Sequence, residues 1–275
     1  MLNIKNGSFA TLMTGGGAQD FTEPEQRKLT RLCMQTAQLL MQHGAESALV
    51  ENVTVRMGEA LGLEKIQLGI TANALSLTTL TDEHCITTVR RNIDGGINMH
   101  VVTEVQRLML RAERREITLG QVERQLNEIK PLHYNKWLLC VMIGLSCASF
   151  ARLMGADWTS CAVAGVASAL SMLVRLTLSI WHFNPMLNFT ITAFVATSLA
   201  GLSVPLAIGE QPRMAMAASV LLLIPGYPLI NAVSDMLKGY ANTGLSRWIV
   251  ALLLVLAASV GIFMALSLWK IKLWI

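Results

Sequence analysis

Residues 221–247 read LLLIPGYPLINAVSDMLKGYANTGLSR. An apolar run meets Pro225, Gly226 and Pro228, then continues to Asp235. Each proline lacks a backbone donor and crowds the turn before it, so the interior of a soluble helix would not hold the pair. In a bilayer, a broken helix persists only where protein or a water-filled cavity satisfies the freed carbonyls. A proline-interrupted membrane helix near an ionisable group is the pattern of transport sites. The stretch is therefore either a functional break or a simple kink. In the second case Asp235 would sit at the membrane surface, paired with Lys238 three residues on.

The surrounding composition places this stretch in a membrane. The chain has 275 residues, 53% hydrophobic, with a mean hydropathy of +0.48, too apolar for an average soluble protein. Residues 1–136 hold 15 of the 22 Lys and Arg and 15 of the 18 Asp and Glu. A charged soluble domain followed by a membrane domain accounts for that imbalance. The net charge of +4 comes from the second part, where cations flank membrane helices, so nucleic acid is not an expected partner.

Five stretches are long and apolar enough to cross a bilayer, at about 137–154, 159–180, 187–208, 214–237 and 246–269. Their short connections predict antiparallel neighbours. All six tryptophans (Trp137, Trp158, Trp181, Trp248, Trp269 and Trp274) fall near predicted span ends, as interfacial anchors should. Small residues around Gly144 in the first span and Gly165 in the second predict close helix contact. An odd, single bundle predicts a partner subunit or a homo-oligomer. Arg175 falls in the second span, where it either snorkels or faces a substrate path. Asn188 and Asn231 are amides in apolar helices, expected to bond between helices.

Ahead of the spans, residues 1–22 read as a polar, glycine-rich disordered tail without the apolar core of a signal peptide. Residues 23–135 read as a small cytoplasmic α+β domain and residues 136–275 as the transmembrane domain. Thr22-Glu23-Pro24-Glu25 starts a first helix that Gly44 ends, and a second runs from about residue 45 to Gly62. Alternation then predicts strands at 66–70, 74–80 and 85–89, with the polar turn 81–84 closing a hairpin. Helical spacing returns at 99–116 and 118–130. The fold class is an α-helical membrane protein of five transmembrane helices preceded by this domain, with its amino terminus in the cytoplasm.

Catalytic chemistry finds little footing. His43, Glu46, Ser47 and Glu51 invite a membrane-tethered hydrolase or sensor reading, but no nucleophile elbow is present, and capping or a salt bridge from Glu51 to an arginine accounts for them. Arg90 and Asp94 belong to a second polar group, next to a Gly95-Gly96 pair of low specificity. The five cysteines form no CxxC pair, so no metal, cofactor or disulfide framework is expected.

Three blocks, HGAESALVENVTVRMGEALGL, RRNIDGGINMHVVTEVQRL and AMAASVLLLIPGYPLINAVSDMLKGYANTGLSRW, resemble the threonine/serine exporter (ThrE-like) family. The resemblance covers residues 25–269 and is most specific in the last block. It is strongest to a branch in which the exporter is split between this larger chain and a small YjjB-like membrane subunit of four or five spans. It implies an exporter of a small carboxylate, with succinate as the expected substrate, in the bacterial inner membrane. Threonine or serine is the alternative substrate. The family's helix break falls on Pro225 and Gly226, its polar positions on Asn231, Asp235, Gly239, Gly244 and Arg247, and its soluble-domain acid on Glu51. Arg175 or Arg247 is the expected carboxylate partner, and Asp235 the expected proton-exchanging group.

Overall fold

The computed structural model describes residues 22–81, 84–181 and 183–270. The expected tail up to residue 21, the tip of the polar turn at 82–83, His182, Lys272 and Trp274 lie outside these residues. The chain divides into two compact units: Met1–Leu132 with Asn231–Ser246, and His133–Ile230 with Arg247–Ile275.

The first unit opens with helix α1 (Glu23–Gln42), whose N-cap residue Thr22 donates its backbone N–H to the Glu25 carboxylate at 3.1 Å. Gly44, with φ of +86°, turns the chain into α2 (Ser47–Ala60). Strands β1 (Lys65–Ile70), β2 (Ala74–Leu80) and β3 (Cys85–Arg91) form an antiparallel sheet in that order, and α3 (Met99–Glu113) and α4 (Leu119–Glu128) follow. On the central strand β2, Leu75, Leu77 and Thr79 are buried in strict alternation, because one face of the sheet is covered and the other is not. The core gathers Leu40, Val50, Met57, Leu77, Val105 and Leu126 from both layers. Gly58 permits close packing here, since a Cβ on it would lie 2.1 Å from Ile66 Cδ1. Gln26 is fully buried and donates to the Thr79 carbonyl at 3.1 Å, so its polarity is satisfied across the helix–sheet interface.

The second unit contains α5 (Lys136–Leu153), α6 (Trp158–Ile180), α7 (Pro185–Gly201), α8 (Pro212–Val220) and a 3₁₀ turn at Leu221–Leu223. Residues 226–230 of α9 (Gly226–Leu237) and residues 247–268 of α10 (Ala241–Leu268) complete it. Small residues set its packing, as the sequence predicts. A Cβ on Gly144 would lie 2.7 Å from the Gly165 carbonyl oxygen, and one on Gly261 would lie 2.1 Å from that of Thr190. Ser168 and Ser219 hydroxyls bond to carbonyls on neighbouring helices. The Asn188 amide donates to the Arg175 carbonyl at 3.2 Å, the interhelical bond expected of it. Large apolar residues such as Leu145, Leu256 and Phe263 face outward.

Of the five spans expected from the sequence, three or four qualify by length and composition among the described residues. Among the described residues, three helices, α5, α6 and α10, are long and apolar enough to cross a membrane. The fourth stretch is a pair of helices bent by 54° at the proline break. The third, α7, has only 17 residues, because Pro205 cannot donate to the carbonyl four residues back and the chain turns away after Gly201. The last helix begins at Ala241, earlier than expected, so Trp248 lies within it rather than at its end.

Candidate functional site

Helix α9 carries both features of the stretch that the sequence marks out. At its start, Ile224 is held extended at φ −71° and ψ 119°, the conformation a following proline imposes. The helix restarts at Gly226, and Pro228 falls in its first turn, where a missing N–H costs nothing. A Cβ on Gly226 would meet nothing within 4 Å, so the backbone is open on that side. Beside the break lies a cavity of ≈ 400 Å³, lined by Leu223, Ile224, Thr197, Arg213 and Ser259 among mostly apolar neighbours. The Thr197 hydroxyl is buried without a hydrogen-bond partner among the described residues.

The rest of α9 belongs to the first unit. Asn231, Ser234, Asp235 and Lys238 recur at i, i+3, i+4 and i+7, which places them on one helical face. That face meets the amino-terminal end of α2. An α-helix leaves its first N–H groups without internal partners, and the N-cap residue of α2, Glu46, makes no side-chain cap bond. Asp235 supplies the acceptor. Its carboxylate takes the Ser47 N–H at 2.8 Å and the Ser47 hydroxyl at 2.9 Å. A carboxylate there also complements the positive end of the helix dipole. The Asn231 amide donates to the Gly44 carbonyl at 2.8 Å, Ser234 donates to Glu46 at 2.9 Å, and Lys238 pairs with the other Glu46 oxygen.

Past α9, Gly239 turns the chain with φ of +92°, which a side chain would resist. Gly244 then lets α10 start against α9, since a Cβ there would lie 2.7 Å from the Ala232 carbonyl. The Tyr240 hydroxyl donates to Glu51 on α2. Burial, and then the Glu51 carboxylate, push the Tyr240 hydroxyl up to about 12.

The sequence-marked residues thus separate into several places. Asp235 is fully buried and Asn231 nearly so; Asp235 is not a surface residue, and Lys238 is paired with Glu46. Glu51 takes a tyrosine hydroxyl where an arginine was expected. Ser47 gives its hydroxyl to Asp235, and the His43 Nδ1 is 2.8 Å from the Leu39 carbonyl, so the hydrolase constellation does not assemble. Asp94 accepts the Gly96 N–H at 2.9 Å in a turn. Arg90 lies on β3. Arg175, Pro225, Gly226 and Arg247 belong to the second unit. There the Arg175 guanidinium stacks 4.6 Å from the Phe189 ring centroid. Ser234 and Tyr240 were not singled out from the sequence, although the polar i, i+3, i+4, i+7 stripe in an apolar helix carries the signal for Ser234.

Residues 31–269 match the family described as "Putative threonine/serine exporter". Over 91% of its length the chain is 51% identical to a Klebsiella aerogenes protein named "Probable succinate transporter subunit YjjP", covering 97% of that protein. It is 48% identical to the Escherichia coli K12 protein of the same name, covering 98% of it. A "Probable threonine/serine exporter" of Mycobacterium tuberculosis is 25% identical over 92% of this chain but only 48% of its own length. No solved structure matches the chain.

Proposed function

The chain belongs to the threonine/serine exporter family, and we propose that it is the larger membrane subunit of a split exporter for a small dicarboxylate such as succinate. It is a transporter rather than an enzyme. The observation that carries the proposal is the match along nearly the whole length of two proteins named as succinate transporter subunits. The match covers about half of the mycobacterial exporter, which supports a second membrane component acting beside this one. A separate small membrane subunit of the YjjB-like kind would supply that component, with a homo-oligomer as the other route. The proposed setting is the bacterial inner membrane, crossed five times, with the bent α8–α9 pair and α7 as two of the crossings and the amino terminus in the cytoplasm.

In this reading a substrate carboxylate meets an arginine fork, which matches it with two parallel hydrogen bonds. Arg175, Arg247 and the cavity-lining Arg213 are the candidates. The open turn at 224–226 offers backbone groups to the substrate, as broken helices do in other transporters. Asp235 exchanges the coupling proton. A proton on Asp235 removes the anion from the amino-terminal end of α2, so protonation would loosen Asp235's grip on that helix. Asn231 steadies the same contact.

Cells carrying the chain with its partner are expected to export succinate, and Asp235→Asn to lose export or its pH dependence. Unchanged efflux and pH dependence at normal expression would remove Asp235 from coupling. The name of the mycobacterial relative favours a second reading, an amino-acid substrate whose ammonium group needs a carboxylate. Export of threonine and not succinate by the same cells would select it.

A further inference from the structure

Arg90 is absorbed neither by the helix break nor by the contact between α9 and α2. Its strand neighbour in the register is Leu75, and Thr88 stands opposite Leu77, so Arg90 lies on the sheet face that the helices cover. β3 is an edge strand, and between it and α1 lies a cavity of ≈ 670 Å³, within the size range of small-molecule sites. Arg27, Arg31 and Arg90 line it, with Gln35, His84 and Thr88. Arg27 is neutralised by Glu23 one turn earlier. Neither Arg31 nor Arg90 forms an ion pair among the described residues. Elsewhere in this unit, Lys28, Arg56, Arg107 and Arg124 each pair with a glutamate. Arg31 and Arg90 thus bring two guanidinium groups without an ion-pair partner among the described residues to one concave surface, which Glu23 also lines.

Guanidinium groups present planar forks that match carboxylate and phosphate oxygens. We propose that the α1–β3 cavity of the soluble unit binds a small dianion, either a dicarboxylate or a phosphate species, through Arg31 and Arg90. The site is built wholly from residues of the first unit and does not depend on which substrate is exported. An inward-facing charge on an edge strand can also serve only to block unwanted strand pairing, and the experiment separates the two roles.

Cys85 is exposed, whereas Cys33, Cys140, Cys147 and Cys161 are buried. By strand alternation Cys85 lies on the other face of β3 from Arg90, whereas Thr88 shares the Arg90 face and lines the cavity. Alkylation of a Thr88→Cys, Cys85→Ser variant of the full-length chain in detergent therefore reports on this place. Succinate and inorganic phosphate are the probes, with sodium chloride at matched ionic strength and threonine as controls. Succinate, phosphate or both are expected to slow alkylation several-fold and saturably, and the comparison tells which class the site takes. In that background the Arg31→Gln, Arg90→Gln double variant is expected to lose the protection, while Arg107→Gln, whose partner is Glu104, keeps it. Absence of protection by both anions, or equal protection in the double variant, overturns the proposal.

Discussion

Asp235→Ala removes the carboxylate that holds the amino-terminal end of α2. The lost contacts are the Ser47 N–H at 2.8 Å and the Ser47 hydroxyl at 2.9 Å, around a fully buried acid. At about 1.5 kcal/mol for each hydrogen bond to a charged group, the local penalty is about 3 kcal/mol. That exceeds the typical cost of about 1 kcal/mol for losing an exposed helix cap, because the donors left without Asp235 are buried. Such a change raises the population of the opened helix end roughly 100-fold. Hydrogen-exchange mass spectrometry of the full-length chain in detergent reads it directly in peptides spanning 45–52, with strand peptides spanning 65–80 as the unchanged control. Asp235→Asn keeps an oxygen acceptor but loses the charge, and Ser47→Ala loses only the hydroxyl bond, so each is expected to accelerate exchange roughly tenfold. Wild-type exchange at 45–52 in Asp235→Ala would refute the reasoning, since the α2 end would then owe nothing to Asp235.

Tyr240→Phe removes the hydrogen bond to Glu51 and is expected to lower stability by about 1 kcal/mol. The folded Tyr240 holds its proton above the ordinary value of 10.0 up to about 12. Its contribution is therefore complete below pH 10 and lost between pH 10 and 12, a slope that an alkaline unfolding titration should find flattened in the variant. Gly261→Leu places a side chain against the Thr190 carbonyl, 2.1 Å from the position of its Cβ. The expected loss is about 2 kcal/mol, read as a lower thermal midpoint in detergent. Gly226→Ala meets no neighbour within 4 Å and should leave that midpoint unchanged. Pro225→Ala restores a backbone donor and frees Ile224 to become helical, so the break should close and efflux should fall several-fold at equal expression.

Much of the fold is written in local pattern. The Thr22 start of α1, the turns at Gly44 and Gly62, the hairpin between β2 and β3, and Thr118 before α4 all emerge close to where residue spacing puts them. The helix break follows from Pro225 alone, because a proline constrains its own φ and the residue before it whatever surrounds them. The close approach of Gly144 and Gly165 is similarly readable, since small residues in apolar helices have few other uses. Hydropathy misplaces the boundaries of α7 and α10, because its averaging runs on through Pro205 and stops short of the polar residues 241–246, which are helical.

The sequence by itself also marked Asn231, Asp235 and Glu51, but as candidates for a substrate or a surface pair. Tertiary structure decided what they touch. Asp235 meets Ser47, 188 positions away, and Tyr240 meets Glu51 across a similar distance. Helical periodicity shows that Asn231, Ser234, Asp235 and Lys238 share a face, yet it carries no information about what that face meets. A helix end without its own cap will take a suitably placed acceptor from anywhere in the chain, and only the folded path of the backbone determines which acceptor is within 3 Å.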